Sequence, residues 1–171
     1  MKCTLSTKKD YNMLKKINGF IKYDNRMKKM LLEAFFQLGW ARILKSIPFS
    51  KVAPYLGEKS VETPTYLNEE SRRKLKEVSK AIEIMSRHTL WESKCLVQAM
   101  AAMKMLKRRK IESTLYMGMA KDEYGALIAH AWIRSGSFYV TGSQGMERFT
   151  VVATFAHNVS NKTLEGEING S

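Results

Sequence analysis

From Cys95 to Leu106 the chain reads Cys-Leu-Val-Gln-Ala-Met-Ala-Ala-Met-Lys-Met-Leu, and only Gln98 and Lys104 are plainly polar. The longer stretch from Trp91 to Leu106 holds neither Gly nor Pro and is rich in strong helix formers. A helix that is apolar nearly all round has no face left for water, so it belongs in the middle of a domain, covered on several sides. Cys95 stands at or near its start. There, unpaired backbone N–H groups and the positive end of the helix dipole favour a thiolate. This is the expected position of the nucleophile in a cysteine hydrolase.

The covers for such a helix come from both directions. Residues 31–45 read as a mostly buried helix that Pro48 limits. Residues 49–70 hold Pro54, Gly57 and Pro64 among polar residues and predict a connector with at most one helical turn. Asn68 then suits an N-cap, and Leu75, Val78, Ile82 and Met85 follow at helical spacing, with Lys74, Lys76, Glu77, Lys80 and Glu83 on the other face. Past the cysteine helix, Lys107 to Lys110 place cations at the C-terminal end of the dipole. The period then changes to two. Strands are expected over 113–121, 126–134, 138–141 and 149–155, with turns at 122–125 and Ser135-Gly136 and a break at 142–145. Helices first and an antiparallel β-meander afterwards predict an α+β fold in one domain.

Composition narrows the setting. The chain has 171 residues, 44% apolar, 26% charged, with a net charge of +13. Nine Lys or Arg fall in the first thirty residues against Asp10 and Asp24. That segment, 1–30, reads either as a short amphipathic helix carrying Met13, Leu14, Ile17, Phe20 and Ile21 or as a loose arm. Such a charge suits an acidic peptide, an anionic membrane surface or nucleic acid, or is simply a solvated basic face. Cys3 and Cys95 do not make a disulfide framework, and a reducing, cytoplasmic setting is expected. No signal peptide or membrane-spanning stretch is visible. His88, His130 and His157 show no zinc-ligand spacing, so no metal is expected.

A lone cysteine in an apolar helix is ordinarily core packing, and a lone histidine on a strand is ordinarily held by a carbonyl. Together they mean more. His130 lies mid-strand in Ala129-His130-Ala131-Trp132, its direction fixed by the sheet, and a rigid base facing a helix-borne thiol is an arrangement that activates a nucleophile. His88 and His157 lie in a linker and beyond the last strand. The helix start itself has two readings. Thr89-Leu90-Trp91-Glu92 forms a capping box that would begin it at Thr89. A start near Ser93, with Thr89 capping a separate turn, suits the chemistry better and is the expectation adopted.

Trp91, Cys95, Leu96 and Ala99, the basic helix end, and Ala129-His130-Ala131-Trp132 resemble the cysteine peptidase domain of lasso-peptide biosynthesis B proteins, leader peptidases with a transglutaminase-like, papain-like core. Leu38-Gly39-Trp40-Ala41-Arg42, Pro48-Phe49 and Leu56-Gly57 resemble the helical part of that family. The resemblance covers roughly residues 30–155. It implies a peptidase domain over 31–156 (helical part 31–110, β part 113–156), followed by a polar tail, 157–171. It implies that Cys95 attacks the leader–core junction of a precursor peptide, that His130 holds the thiolate and protonates the leaving amine, and that water clears the acyl-enzyme. The Cys95 N–H is the natural oxyanion donor, with Trp91 and Trp132 as candidates for a second donor or a substrate wall. No cofactor is implied.

The family's third residue is an acid on the strand after the histidine, and none stands there. A two-residue turn at Ser135-Gly136 sets His130 opposite Thr141, and one more turn residue sets it opposite Gly142. Thr141, Ser143, Gln144 or Glu147 are the candidates to orient the imidazole. The expected partners are the precursor peptide, a separate leader-recognition protein, since residues 1–30 are too few to build such a domain, and the ring-closing cyclase. Two alternatives stay open: an acyl-transferring, transglutaminase-like enzyme using the same Cys–His pair, and a non-catalytic basic module binding peptide or nucleic acid. No RNA-binding signature supports specific nucleic-acid recognition. A peripheral membrane contact through the basic N-terminus also stays open.

Overall fold

The computed structural model describes residues 23–159; the amphipathic pattern at 13–21 lies outside them. Helix α1 spans Asn25–Leu44, capped by Asp24, whose side chain accepts from the Met27 N–H. It runs across the boundary expected at 30/31. Its buried residues Met30, Leu31, Ala34, Leu38 and Ala41 form one stripe, whereas Leu32, Phe36 and Ile43 are exposed. Among the described residues other elements pack on one side of α1, and that is the side it buries.

The connector holds more order than expected. A short helix α2 (Phe49–Val52) runs into a 3-10 turn at Ala53–Tyr55, and Glu58–Lys59 form a strand, β1. Helix α3 spans Glu69–Ser86; the Asn68 side chain accepts from the Ser71 N–H at 2.8 Å, and Glu69 and Glu70 sit at the positive end of the dipole. Leu75, Val78, Ala81 and Ile82 are its buried face.

The central helix α4 spans Cys95–Arg108, with Val97, Ala99 to Met103, Met105 and Leu106 buried. It lies between α1 and α3 on one side and the sheet on the other, which is how a helix apolar all round is kept from water. At its far end Arg109 donates to the Met105 carbonyl and to the Glu33 carboxylate of α1.

The strands are β2 (Ser113–Lys121), β3 (Leu127–Ser135), β4 (Phe138–Thr141) and β5 (Thr150–His157). The molecule is thus α+β, helices first and an antiparallel sheet after, in the order β1-β5-β2-β3-β4. Strands β2, β3 and β4 follow one another as a meander, and β5 then crosses back to pair with β2. Leu115, Ala131 and Ile133 share the core with α4, and Phe155 packs its ring on Phe49 of α2. The opposite face carries Tyr116 and Arg134, where the Arg134 guanidinium donates to the Tyr116 hydroxyl, to Glu62 and to the Thr63 carbonyl, tying the connector to the sheet.

The β3–β4 register differs from both expected versions. The turn is Gly136-Ser137, since Ser135 pairs with Phe138 and Arg134 with Tyr139. A shift between Ile133 and Arg134 then takes up Val140, and Ile133 pairs with Thr141. A bulge sets two residues of one strand against one of the other, and in β4 the neighbours Val140 and Thr141 are both buried there. Neither Thr141 nor Gly142 is therefore the ladder partner of His130, although Gly142 meets its side chain by another route. Strand β5 also runs two residues past Phe155, into the stretch expected to be a polar tail.

Candidate active site

Cys95 is the first residue of α4, two positions later than the start expected near Ser93. The N-cap is Lys94, in extended conformation, and its side chain makes no cap bond. The capping box does not form. Thr89 Oγ1 instead lies 3.2 Å from the Ser86 carbonyl, 3.0 Å from that of Trp91 and 2.9 Å from Ser93 Oγ, so it folds the linker on itself and delays the helix. Gln98, one turn into α4, donates to the Ser93 carbonyl at 2.7 Å and fixes the approach. The delay leaves the Cys95 N–H among the helix's unpaired donors and its thiol at the positive end of the dipole.

Lys94 is engaged sideways, its Nζ 2.7 Å from Glu92, which also lies 3.5 Å from Lys45. The hydrogen bond from Lys94 holds the Glu92 carboxyl below the usual carboxylate range, and the same bond holds Lys94 above the usual ammonium value. The cation nearest the thiol in sequence is thus already paired.

Cys95 and His130 line one open cavity of about 570 Å³. Its other walls are the last turns of α3 (Ser79, Glu83, Ser86), Arg87, Gln98 of α4, and the run from Tyr139 to Gln144. Both side chains are half-buried. Among the described residues no hydrogen bond joins thiol to imidazole; catalytic contacts of this kind are often loose until substrate arrives.

The imidazole is fixed from two sides. Its ring stacks on Trp132 (centroids 5.8 Å apart) and lies 5.0 Å from the Phe149 ring. Its Nε2 lies 2.8 Å from the Gly142 carbonyl oxygen. A carbonyl only accepts, so Nε2 carries the hydrogen and, in the neutral ring, Nδ1 keeps the lone pair. That leaves the nitrogen nearer the main chain as the one able to take a proton.

The other singled-out residues divide. Thr141, Ser143 and Gln144 line the cavity, but none of their side chains holds His130. Glu147 sits exposed in the 3-10 turn Met146–Arg148, outside the cavity wall. Trp91 is drawn to α1, its ring 5.2 Å from Phe35 and against Gly39, so it is no part of the cavity. Trp132 backs the imidazole and stacks on Tyr116 at 5.6 Å, and does not line the cavity either. Neither tryptophan is among the residues that line the cavity shared by Cys95 and His130. His88 bonds the Ile84 carbonyl at the end of α3, and His157 borders a separate cavity of about 180 Å³ beside Trp40 and Lys104. Among the described residues no group of three or more metal-ligating side chains comes together.

The residue that sequence reasoning missed is Gly142. Its contribution is a backbone oxygen, which every residue possesses, so no side-chain pattern marks it. Its glycine does leave one signal: φ is +72°, and a Cβ there would lie 2.4 Å from the Ala131 carbonyl oxygen. The chain turns hard over β3 at this point, and that turn presents the carbonyl to the imidazole.

A helix N-terminal thiol and a strand-borne histidine opening on one cavity, over an antiparallel sheet, define the architecture of Cys-dependent hydrolases and acyl transferases. Comparison with known families matches residues 34–154 to the transglutaminase-like superfamily core, and the chain belongs to that superfamily. Comparisons with curated proteins and with solved structures each gave no match.

Proposed function

We propose that the protein is a cysteine endopeptidase that removes the leader of a lasso-peptide precursor. The observation that carries the cysteine chemistry is that one cavity is lined both by a thiol at the first residue of α4 and by an imidazole whose Nε2 is committed to the Gly142 carbonyl. Membership of a superfamily that commonly includes cysteine peptidases supports it, and the resemblance of the Cys95 and His130 motifs to lasso B proteins supplies the substrate.

His130 Nδ1 takes the Cys95 proton and the thiolate attacks the carbonyl carbon at the leader–core junction. The C–N bond breaks as the imidazolium returns the proton to the leaving amine, and water, deprotonated by the same nitrogen, releases the acyl group from sulfur. A thiol needs less assistance than a hydroxyl, so a neutral carbonyl behind the histidine suffices where other enzymes use an acid. The proposed setting is the cytoplasm, with leader recognition supplied by a separate protein, the cyclase as the next enzyme, and the basic surface available for peripheral contacts. No helix of the described residues is long and apolar enough to cross a membrane.

The test is alkylation by iodoacetamide between pH 5 and 9, with the label located by mass spectrometry, followed by precursor peptide with its recognition protein. Labelling of Cys95 that persists well below the free-thiol pKa of about 8.5 and is lost in His130→Ala is expected, as is precursor cleavage abolished by Cys95→Ala. A Cys95 that labels no faster than a free thiol would sink the proposal. Added amines distinguish hydrolysis from acyl transfer by the mass of the product.

A further inference from the structure

Thr141 ends β4 on the wall of the cavity that Cys95 and His130 share. The residue is 9% exposed, and its Oγ1 is closed off with no hydrogen-bond partner among the described residues. A buried hydroxyl is normally paired, and one left unpaired costs stability and calls for a reason to be kept. It does not orient the histidine, because the neighbouring Gly142 carbonyl does that. Rotation of about 120° about χ1 exchanges a threonine's hydroxyl with its methyl or hydrogen. At a residue lining the cavity, such a step turns the hydroxyl towards whatever occupies the space.

The site lacks one component. Attack on a carbonyl puts negative charge on its oxygen, and one backbone N–H, that of Cys95, is a thin oxyanion hole. Gln98 has committed one of its two amide N–H groups to Ser93, and Trp91, whose Nε1 is also buried without a partner, faces α1; of the unpaired buried polar atoms among the described residues, Thr141 Oγ1 is the one on a residue of the cavity wall. We infer that the Thr141 hydroxyl is the second oxyanion donor, turning into the cavity to hydrogen-bond the carbonyl oxygen that Cys95 attacks. This rests on the Cys95–His130 reading given above.

Two reagents separate the claim from general thiol reactivity. With p-nitrophenyl acetate, Cys95 Sγ bonds the carbonyl carbon, charge builds on the carbonyl oxygen, and the C–O bond then breaks to release p-nitrophenolate and leave an acetyl group on sulfur. With iodoacetamide, sulfur displaces iodide from a methylene carbon and no oxyanion forms. The full chain would be compared with Thr141→Val and Thr141→Ser, reading nitrophenolate release, acetyl-Cys95 by mass and the alkylation rate. Thr141→Val is expected to slow acylation about a hundredfold while alkylation stays within about twofold, and Thr141→Ser to keep most of the acylation rate. The melting temperature of Thr141→Val is expected to match or exceed that of the native chain, because an unpaired hydroxyl has been removed. Equal acylation in Thr141→Val overturns the inference and leaves the peptidase reading standing, as does a parallel fall in both rates, which marks a general loss of the site. A native Cys95 that alkylates only like a free thiol is recognised before any variant is made, and it removes the peptidase reading together with the inference.

Discussion

At the scale of single residues, Gly142 couples backbone geometry to chemistry. Its φ of +72° is in the left-handed region, where a side chain costs about 1–2 kcal/mol, and a Cβ would meet the Ala131 oxygen at 2.4 Å. Gly142→Ala is therefore expected to push the carbonyl off His130 Nε2. Alkylation of Cys95 at pH 6 should fall on the order of tenfold, with a smaller relative fall at pH 9, where the thiol ionises unaided. Tyr116 offers a second test. Burial, then the hydrogen bond to Glu62, raise its pKa above the usual tyrosine value, with Arg134 opposing. The folded chain thus keeps the phenol proton after an unfolded chain has released it. Stability from this group is fully present below about pH 10 and declines as the pH rises towards the folded value. Melting temperatures followed from pH 9 to 11.5 should show that decline, with tyrosinate absorbance appearing alongside it, and Tyr116→Phe should flatten the slope. The sequence marks Cys95 and His130 by residue type and neighbourhood. It marks Gly142 as a glycine near His130 but not by its role, because a carbonyl oxygen is common to every position.

Elements were legible wherever a local period governs them. Helix α3 begins at the cap its sequence announces: the Asn68 side chain meets the Ser71 N–H at 2.8 Å in an exposed position. Asn68→Ala is expected to cost about 1 kcal/mol in denaturant unfolding, leaving Cys95 alkylation unchanged because the cap lies at the other end of α3 from the cavity. Helix α4 shows the limit of such signals. A capping box was present at Thr89–Glu92, yet the Thr89 hydroxyl found closer partners in Ser86, Trp91 and Ser93, and competing local hydrogen bonds moved the start to Cys95. Strand β1 escaped notice because two residues carry no period, and the shift between Ile133 and Arg134 because a bulge preserves composition while changing register.

For the molecule as a whole, what the sequence concealed is long-range. That β5 returns to β2, and that Glu58 pairs with Ala156, are pairings no window of neighbouring residues contains. The connector is the seam between the helical half and the sheet, fastened by the Glu62–Arg134–Tyr116 network and by Ser60 N–H on the Thr154 carbonyl. Gly57 permits that seam: its φ is +117°, and a Cβ would sit 2.1 Å from the Ala156 oxygen. Gly57→Ala is expected to detach β1. Hydrogen exchange should then accelerate at Ser60 while the amides of the β2–β3 ladder keep their protection; uniform acceleration would mean that the seam and the sheet open as one unit.

The return of β5 also sets a timetable. On a growing chain, α1, α3 and α4 can form as they emerge, since helices need only neighbours. The sheet they must cover cannot close until β5 is made, because β5 supplies one neighbour to β2 and, among the described residues, the one strand neighbour of β1. Closing such distant pairs is the slow step of a fold of this kind. The thiol at the head of α4 therefore emerges long before the sheet that backs His130 is complete, and during synthesis it is a cysteine without its histidine.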